Sequence, residues 1–416
     1  MLDNKIIYLD NAATTIPYNQ VLESYQKAST LYFANSSSVH KLGQESSRLV
    51  ELSRKQILDC AGLSKTHELI FTSGATEANN LGIVGYCLAH KNRGNHIITT
   101  VYEHPSVLEA FKFLETQLGF IVTYLPVTVE GKVDINNLLK SITDNTILVS
   151  IMACNNEIGS VNDIEEIARK LKSYPKIAFH TDAVQAFGKV SINYKDVDLI
   201  TITSHKIHGP KGVGALLKKN SLELVSLNNG GGQENGDRSG TLSTDLIVCF
   251  AKAVRITLEN QQKSFTIVKE LNNKVLNYLA NRANVFEINS GNENPYVINF
   301  SLKERKASVV VEALSNENIM VSSTSACHSK GERFSYVVKA LNKPEQIYKN
   351  TIRVSFDESN TLEEIEIFLE KLDRIIGEIK QWSTILTSWF ASVNSLQKVK
   401  IKKILLEFLL TTLNVD

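Results

Sequence analysis

The stretch that decides the fold lies between residues 198 and 217 and reads DLITITSHKIHGPKGVGALL. It holds two runs of apolar and β-branched residues, Leu199–Thr203 and Val213–Leu217, of the kind that form strands buried on both faces. Lys206 stands between them, flanked by two histidines. A lone lysine is usually a solvated surface charge. At the carboxyl end of a buried strand, however, a lysine can lose solvation, lower its pKa and act as an amine nucleophile.

The rest of the first half alternates between strand and helix patterns. Further buried strands are predicted at His96–Thr100, Ile121–Leu125, Ile147–Met152 and Ile177–His180. Helical patterns lie among them at Ala75–His90, Ser106–Leu118 and Asn162–Ser173. This alternation predicts an α/β fold with a mostly parallel central sheet. Binding sites in such sheets lie at the carboxyl ends of the strands.

The pattern of strands and helices predicted from the sequence changes near Thr257. A chain of 416 residues also usually folds as more than one domain. A long polar helical pattern, Glu259–Ala283, leads into shorter strands at Tyr296–Leu302 and Thr351–Phe356. We therefore expect a large domain and a smaller α+β domain. The predicted divisions are an N-terminal segment 1–15 that joins the small domain, a large domain 16–256, a small domain 257–376 and a helical extension 377–416.

The extension contains both tryptophans of the chain, Trp382 and Trp389. Apolar residues recur there every three or four positions, which predicts one helix with a narrow apolar seam. A second helical pattern follows at Lys400–Leu413. These helices are expected to pack on the body of the protein or on a neighbouring subunit, and a docking surface for a partner is the alternative.

Composition narrows the classes of function. The chain has 45 basic and 44 acidic residues, without the basic excess that a nucleic-acid-binding surface shows. No stretch is apolar for the roughly 18 residues that a membrane helix needs. Its five cysteines are odd in number and widely spaced, unlike a disulfide framework or a zinc site. We expect a reduced, cytoplasmic protein that binds neither nucleic acid nor membrane.

Asp182 ends another predicted strand, in the segment KIAFHTDAVQ, and alone it could simply cap the next helix. Together with Lys206 it suits a pyridoxal phosphate enzyme. Such an enzyme needs a lysine for the cofactor's aldehyde and an acid for the ring nitrogen. Protonation of that nitrogen lets the ring take up the electrons of a carbanion.

A phosphate site is predicted at residues 72–77, TSGATE, between the short strand Glu68–Phe71 and a helix. Free N–H groups at the helix start, near Ala75 and Thr76, and the neighbouring hydroxyls can donate to a phosphate. The segment matches neither glycine-rich nucleotide motif. His104 follows another strand; such a histidine is usually structural, but here it could lie on a cofactor ring and shuttle protons.

Two residues of the second half could also carry chemistry. Cys327, in SSTSACHSKGERFS, is predicted to be exposed, and His328 and Lys330 would raise its thiolate fraction. A single exposed cysteine can equally be incidental. Arg353, in TIRVSF, could bind a carboxylate through two parallel hydrogen bonds, and a surface ion pair is the alternative.

Together these segments resemble the cysteine desulfurase family, within the class V group of fold-type-I pyridoxal phosphate enzymes. The resemblance extends over about residues 5–376 and is strongest to the subgroup with a long loop around the active cysteine. The segments that carry it, in order, are YLDNAATT, FTSGATEANN, EHPSVL, ILVSIMACNNEIG, HTDAVQ, TSHKIHGPKG, RSGTLS, SSTSACHS and IRVSF.

The resemblance implies conversion of L-cysteine to L-alanine in a homodimer. A persulfide forms on Cys327 and passes to a sulfur acceptor, either an iron–sulfur scaffold or a thiolation carrier, and Cys327 is also a candidate to receive an iron–sulfur cluster. The resemblance implies that Lys206 binds the cofactor aldehyde, Asp182 the pyridine nitrogen and Gln185 the ring oxygen, while His104 stacks on the ring. It implies a phosphate site made of Thr76, Thr203, His205 and, from the second subunit, Thr241. Asn155 and Arg353 would bind the substrate carboxylate, Asn155 would also belong to the cofactor site, and Asn35 would line the pocket.

Three alternatives stay open at this point. The chain could be a selenocysteine lyase or another class V lyase or aminotransferase, because those substrates present the same groups to Arg353. It could be a non-catalytic relative, as its unusual extension suggests. It could also be a metal enzyme, whose ligands would come from His104, His180, His205 and His208.

Overall fold

The computed structural model of the chain describes residues 6–291, 293–323 and 334–392, with side chains described as far as Glu378. A seven-stranded sheet forms its centre, in the order β2-β8-β7-β6-β5-β3-β4. Strand β8 is antiparallel to both of its neighbours, and the other four pairs, β7-β6, β6-β5, β5-β3 and β3-β4, are parallel. The predicted α/β fold with a mostly parallel sheet is confirmed. The strands are β1 Ile7–Tyr8, β2 His67–Thr72, β3 His96–Thr100, β4 Ile121–Leu125, β5 Thr146–Ser150, β6 Ala178–Asp182, β7 Leu199–Thr203, β8 Gly214–Lys219, β9 Phe286–Ile288, β10 Val297–Leu302, β11 Ile319–Met320, β12 Ser322–Ser323 and β13 Thr351–Ser355.

Helices cover this sheet and build most of the remaining structure. They are α1 Asn19–Leu31, α2 Lys41–Cys60, α3 Ala75–Asn80, α4 Tyr86–His90, α5 Pro105–Leu118, α6 Ile135–Lys140, α7 Ile164–Leu171, α8 Thr244–Ala280, α9 Ala307–Asn316, α10 Tyr336–Ala340, α11 Glu345–Tyr348 and α12 Leu362–Ser392. Within the described ranges, no helix is both long and apolar enough to cross a membrane.

Helix α5 shows how local sequence sets the ends of an element. His104 is its N-cap and accepts a hydrogen bond from the Ser106 N–H, while Pro105 occupies the first turn, where its missing N–H costs nothing. The helix stops at Gly119, whose φ of 71° lies in the left-handed region that glycine tolerates. This start fixes His104 directly after strand β3 and its short turn.

A second, smaller sheet has the order β12-β13-β10-β9, and β1 pairs in parallel with β11 beside it. Ile7 and Leu9, from the N-terminal segment, are buried in the same apolar core as strands β10 and β13. Ile7 and Leu9 therefore pack in the second core, while the later residues Ala12 and Ala13 accept hydrogen bonds from Gln185 and Lys206 at the edge of the large sheet.

Helix α8 begins fifteen residues before the pattern that predicted it and runs unbroken through the expected boundary at 256/257. Its first half packs in the core of the large sheet, through residues such as Phe250 and Val254. Its second half packs in the smaller core, through residues such as Leu271 and Val275. The division into domains at this boundary stays a prediction.

Two other predicted helices differ in detail. The pattern Ala75–His90 is interrupted by a π-helical turn at Leu81–Gly85. A Cβ at Gly85 would lie 2.8 Å from the Val225 carbonyl oxygen, so the backbone at Val225 packs directly against this π-helical turn. Helix α12 continues past position 377 to Ser392, and the later part of the extension, 393–416, lies outside the described residues.

Candidate active site

A cavity of about 580 Å³ opens at the carboxyl ends of β6 and β7. Residues of the large sheet, the N-terminal segment and strand β13 meet there. The predicted site residues that line it are Ala75, Thr76, His104, Asp182, Gln185, Thr203, His205, Lys206 and Arg353. Cys327 lies outside the described residues.

Lys206 stands on a single 3₁₀ turn that follows β7. Its Nζ donates hydrogen bonds to the carbonyl oxygens of Ala12, at 2.6 Å, and Ala13, at 2.7 Å. Burial, followed by repulsion from Lys189 and Arg353, lowers the pKa of Lys206 to about 7. About half of the side chains are therefore uncharged amines at neutral pH, as a nucleophile or proton acceptor requires.

Asp182 ends strand β6 with both carboxylate oxygens bonded. Oδ2 accepts from the side-chain amide of Asn79 at 2.8 Å, and Oδ1 accepts from the backbone N–H of Val184 at 3.0 Å. The side chain is buried, so these bonds fix its orientation towards the cavity that it lines. Asn79 was not predicted; its one signal is its position one turn after Ala75 in FTSGATEANN.

A hydrogen-bond chain joins Asp182 to His104. Asn79 also donates to the Ser106 hydroxyl at 2.9 Å, and that hydroxyl lies 2.8 Å from Nδ1 of His104. Because Nδ1 also accepts from the Ser106 N–H, at 3.2 Å, the ring carries its proton on Nε2. Burial lowers the pKa of His104, so the ring is neutral, as a side chain that stacks on a cofactor should be.

Three of the residues predicted for the phosphate, Thr76, Thr203 and His205, line the cavity. Burial, followed by the charge of Lys206, lowers the pKa of His205 to about 4, so this imidazole is neutral at physiological pH. Thr203 donates from its hydroxyl to the Val213 carbonyl at 3.3 Å. A Cβ on Gly214 would lie 2.8 Å from the Cα of Gly74, so strand β8 presses against the turn that carries Thr76.

Arg353, on β13, is held by two oxygens. One terminal nitrogen donates to Asp10 Oδ1 at 2.8 Å, and the other donates to the Asn156 carbonyl at 3.0 Å. Its Nε is buried without a hydrogen-bond partner in the part of the chain that the structure describes. The guanidinium therefore has a fixed orientation and a donor left for an anion.

Gln185 and Asn155 are both buried but differ in their relation to the cavity. Gln185 lines it and donates from Nε2 to the Ala12 carbonyl at 2.9 Å. The side-chain amide of Asn155 is already hydrogen-bonded to backbone groups. Its Oδ1 accepts from the N–H groups of Glu157 and Ile158, and its Nδ2 donates to the Tyr102 carbonyl. The neighbouring Asn156 lines the cavity instead. A contact of Asn155 with a ligand stays a prediction.

Thr241 and Asn35 lie outside the lining of this cavity. Thr241 lines an adjacent space of about 140 Å³ together with Ser73 and Arg238. Asn35 is exposed, and its side chain accepts from the Ser37 N–H at 2.9 Å. Neither residue lines the main cavity, and their roles at the site stay predictions.

The histidines of the metal alternative have separate surroundings. His180 is fully buried between Ser150 and Thr201, and burial lowers its pKa to about 3. His208 stacks on Tyr18 with ring centroids 4.3 Å apart. Across residues 6–291, 293–323 and 334–378, no three histidine, cysteine or acidic side chains form a group that could hold a metal.

Residues 7–368 match the family model described as Aminotransferase class-V. The chain belongs to this family, in its branch of NifS/IscS cysteine desulfurases.

Similar proteins support this placement over nearly the whole chain. A "NifS/IcsS protein homolog" of Lactobacillus delbrueckii subsp. bulgaricus is 41% identical over 375 residues, covering 89% of this chain and 97% of the relative. A "Cysteine desulfurase IscS" of Clostridium botulinum is 38% identical over 386 residues, covering 91% and 96%. A solved structure titled "NIFS-LIKE PROTEIN" is 33% identical with a TM-score of 0.83, covering 90% of this chain and 100% of that one.

The cavity fits pyridoxal 5′-phosphate, on which enzymes of this family depend. The fit rests on three features of the described residues. They are an amine of lowered pKa at Lys206, a buried carboxylate at Asp182 that is oriented by two donors, and hydroxyl and neutral imidazole groups at Thr76 and His205.

Proposed function

We propose that the chain is a cysteine desulfurase that converts L-cysteine to L-alanine and transfers the sulfur atom, through Cys327, to an acceptor. The observation that carries the proposal is the pairing of the Lys206 amine with the fixed Asp182 carboxylate in one cavity that Arg353 also lines. The names of the relatives support L-cysteine as the substrate.

Pyridoxal phosphate, when bound, supplies an aldehyde for the substrate amine and a ring that takes up the electrons of the substrate Cα. Lys206, of which about half is uncharged at neutral pH, accepts and returns the proton at Cα. Asp182 holds a proton on the ring nitrogen, since a buried carboxylate is stabilised by a charged partner. Arg353 binds the substrate carboxylate and orients the Cα–H bond towards Lys206.

Sulfur transfer is assigned to Cys327. Its thiolate attacks the sulfur of the substrate, so that an S–S bond forms while the Cβ–S bond breaks. The electron pair of the broken bond stays with Cβ, which takes a proton and becomes the methyl group of alanine. One cysteine and one enzyme thiol therefore give one alanine and one enzyme persulfide.

Two variants test the proposal. Lys206→Ala should lose the visible absorbance of the bound cofactor, and Cys327→Ser should lose nearly all sulfide release from L-cysteine in the presence of a reductant. Cys60→Ser, at a partly buried thiol on helix α2, is the matched control and should keep full activity. Normal turnover by Cys327→Ser would refute the persulfide step and favour selenocysteine lyase or another class V reaction.

We also propose that the enzyme is a homodimer, in which Thr241 completes the phosphate site of the other subunit. The support is a set of strongly exposed apolar side chains near the start of the chain: Ile16 is 63% exposed, Leu31 62%, Phe33 71% and Val39 90%. A contiguous exposed apolar patch usually marks a protein interface, and we infer that these side chains belong to one. Phe33→Asp should lower the mass measured by light scattering to that of one chain, whereas Val129→Asp, at another exposed site, should not. A dimeric Phe33→Asp would contradict this interface.

The sulfur acceptor is proposed to be a protein, either an iron–sulfur scaffold or a thiolation carrier, and Cys327 is the proposed point of transfer to it or of receipt of a cluster. Incubation of the enzyme with ³⁵S-cysteine and each purified candidate distinguishes them. The true acceptor should carry label after gel filtration, and it should carry none when the enzyme is Cys327→Ser. A cytoplasmic location stays a prediction from the cysteine pattern.

A further inference from the structure

We propose that Lys189 is a positioning residue for the reactive amine of Lys206, acting through the side-chain amide of Gln185 and the backbone carbonyl of Ala12. Lys189 does not line the main cavity, and nothing in the sequence motif singles it out. The inference rests on the proposed role of Lys206, and its test reads the amine of Lys206 directly.

The geometry forms a chain of three hydrogen bonds. Lys189 Nζ donates to Gln185 Oε1 at 3.2 Å, Gln185 Nε2 donates to the Ala12 carbonyl at 2.9 Å, and Lys206 Nζ donates to the same carbonyl at 2.6 Å. An ammonium group only donates and a carbonyl only accepts. The Gln185 amide between them therefore has a single orientation, with Nε2 towards Ala12.

Lys189 is well placed to hold this orientation because it is itself fixed. Its side chain is buried, and the ammonium lies 5.7 Å from the centre of the Tyr296 ring, within reach of a cation–π contact. It follows Gly188, whose φ of 76° turns the chain after Gln185. Without Lys189, the Gln185 amide could rotate and present Oε1 to the Ala12 carbonyl, which would push the two oxygens apart.

The charge of Lys189 acts on Lys206 in the same direction as burial. Repulsion from Lys189 and Arg353 lowers the pKa of Lys206, and attraction by Asp10 and Asp182 raises it. The other titratable side chains that line the cavity are His104 and His205, which burial keeps neutral, together with Glu77, Cys154 and Lys211. Burial lowers the pKa of Lys189 itself to about 8, while Cys154, Asp357 and Glu358 favour the charged form of its ammonium and Arg353 opposes it.

The test measures the pKa of Lys206 in the full-length protein without cofactor, by trace acetylation with acetic anhydride at a series of pH values and mass spectrometry of the peptides. Lys189→Met removes both the donor and the charge, and it should raise the pKa of Lys206 by about one unit. Lys189→Arg keeps donor and charge and should leave that pKa near its original value.

Lys218→Met is the matched control. Lys218 is also buried, but it pairs with Glu68 and Asp237, away from the cavity. Both methionine variants should lose thermal stability, and only Lys189→Met should change the pKa of Lys206. This contrast separates positioning from a merely structural role.

A folded Lys189→Met variant with an unchanged Lys206 pKa would overturn the proposal. If that variant does not fold, Lys189→Gln carries the test: it removes the charge, and its amide can accept as well as donate, so it no longer fixes the orientation of Gln185. An unchanged Lys206 pKa in that variant would also overturn the proposal. Because cofactor and substrate are both absent, the result does not depend on desulfurase activity, so the two proposals can fail separately.

Discussion

Replacing Glu234 by glutamine should destabilise the protein strongly, because it breaks a buried ion pair. Both of its oxygens accept from the Arg54 guanidinium, each at 2.9 Å, and one also accepts from the Phe71 N–H at 2.7 Å. The side chain of Glu234 is 1% exposed and that of Arg54 is 18% exposed. Glutamine keeps the shape and leaves the arginine charge without its partner.

The magnitude follows from this burial. Removing one partner of a buried ion pair costs about 3–5 kcal/mol, and we expect about 3 kcal/mol because Arg54 keeps some contact with water. Glu51 provides a control on the same arginine: it pairs with Arg54 on the surface with a side chain that is 63% exposed, so Glu51→Gln should cost about 0.5 kcal/mol. Urea unfolding followed by circular dichroism measures both losses.

Glu234 also holds an unusual loop. Glu234, Asn235 and Gly236 all have positive φ, at 50°, 55° and 92°, and two of them carry a side chain that disfavours this conformation. Loss of the ion pair should relax this loop, which leads to Thr241, and should weaken cofactor binding as well. Equal losses of stability in Glu234→Gln and Glu51→Gln would refute the reasoning.

Three further predictions concern the cavity. The pKa of Lys206 is lowered from 10.5 to about 7, so its uncharged fraction grows as the pH rises through 7. Cofactor uptake, followed by visible absorbance, should therefore rise with pH and level off above about 8. A rise that continued to pH 10 would contradict this prediction. Asp10→Asn removes the ionic partner of Arg353 and should raise the KM for L-cysteine about tenfold with a smaller change in kcat; an unchanged KM would contradict the assigned role of Arg353. Gly214→Ala places a methyl group against Gly74 and should weaken cofactor binding about tenfold in an absorbance titration, with a native circular dichroism spectrum; unchanged affinity would exclude this close approach.

The sequence predicted the central sheet well because its strands are short, apolar and bounded by clear breaks. His96–Thr100, Ile121–Leu125 and Leu199–Thr203 have the predicted bounds. Helix α8 was predicted too short, because its first part packs against α1 and α2 and lacks the polar stripe that marks a surface helix. The π turn at Leu81–Gly85 was missed because its residues continue the apolar helical pattern.

The site was predictable where a local motif carries it and not where distant segments meet. Lys206 and Asp182 each follow a buried strand, and that position is visible in the sequence. Asp10 pairs with Arg353 across 343 positions, and Lys189 reaches Lys206 only through two intermediates. Such contacts come from the folded arrangement and leave no periodic signal in the chain.

Helix α8 sets a limit on how the molecule can move. At about 1.5 Å per residue, its 37 residues form a rod roughly 55 Å long, with one half embedded in each core. Swinging one core against the other would require this rod to bend or to break its internal hydrogen bonds. The two cores are therefore expected to keep a constant mutual orientation throughout the proposed transfer of sulfur to an acceptor.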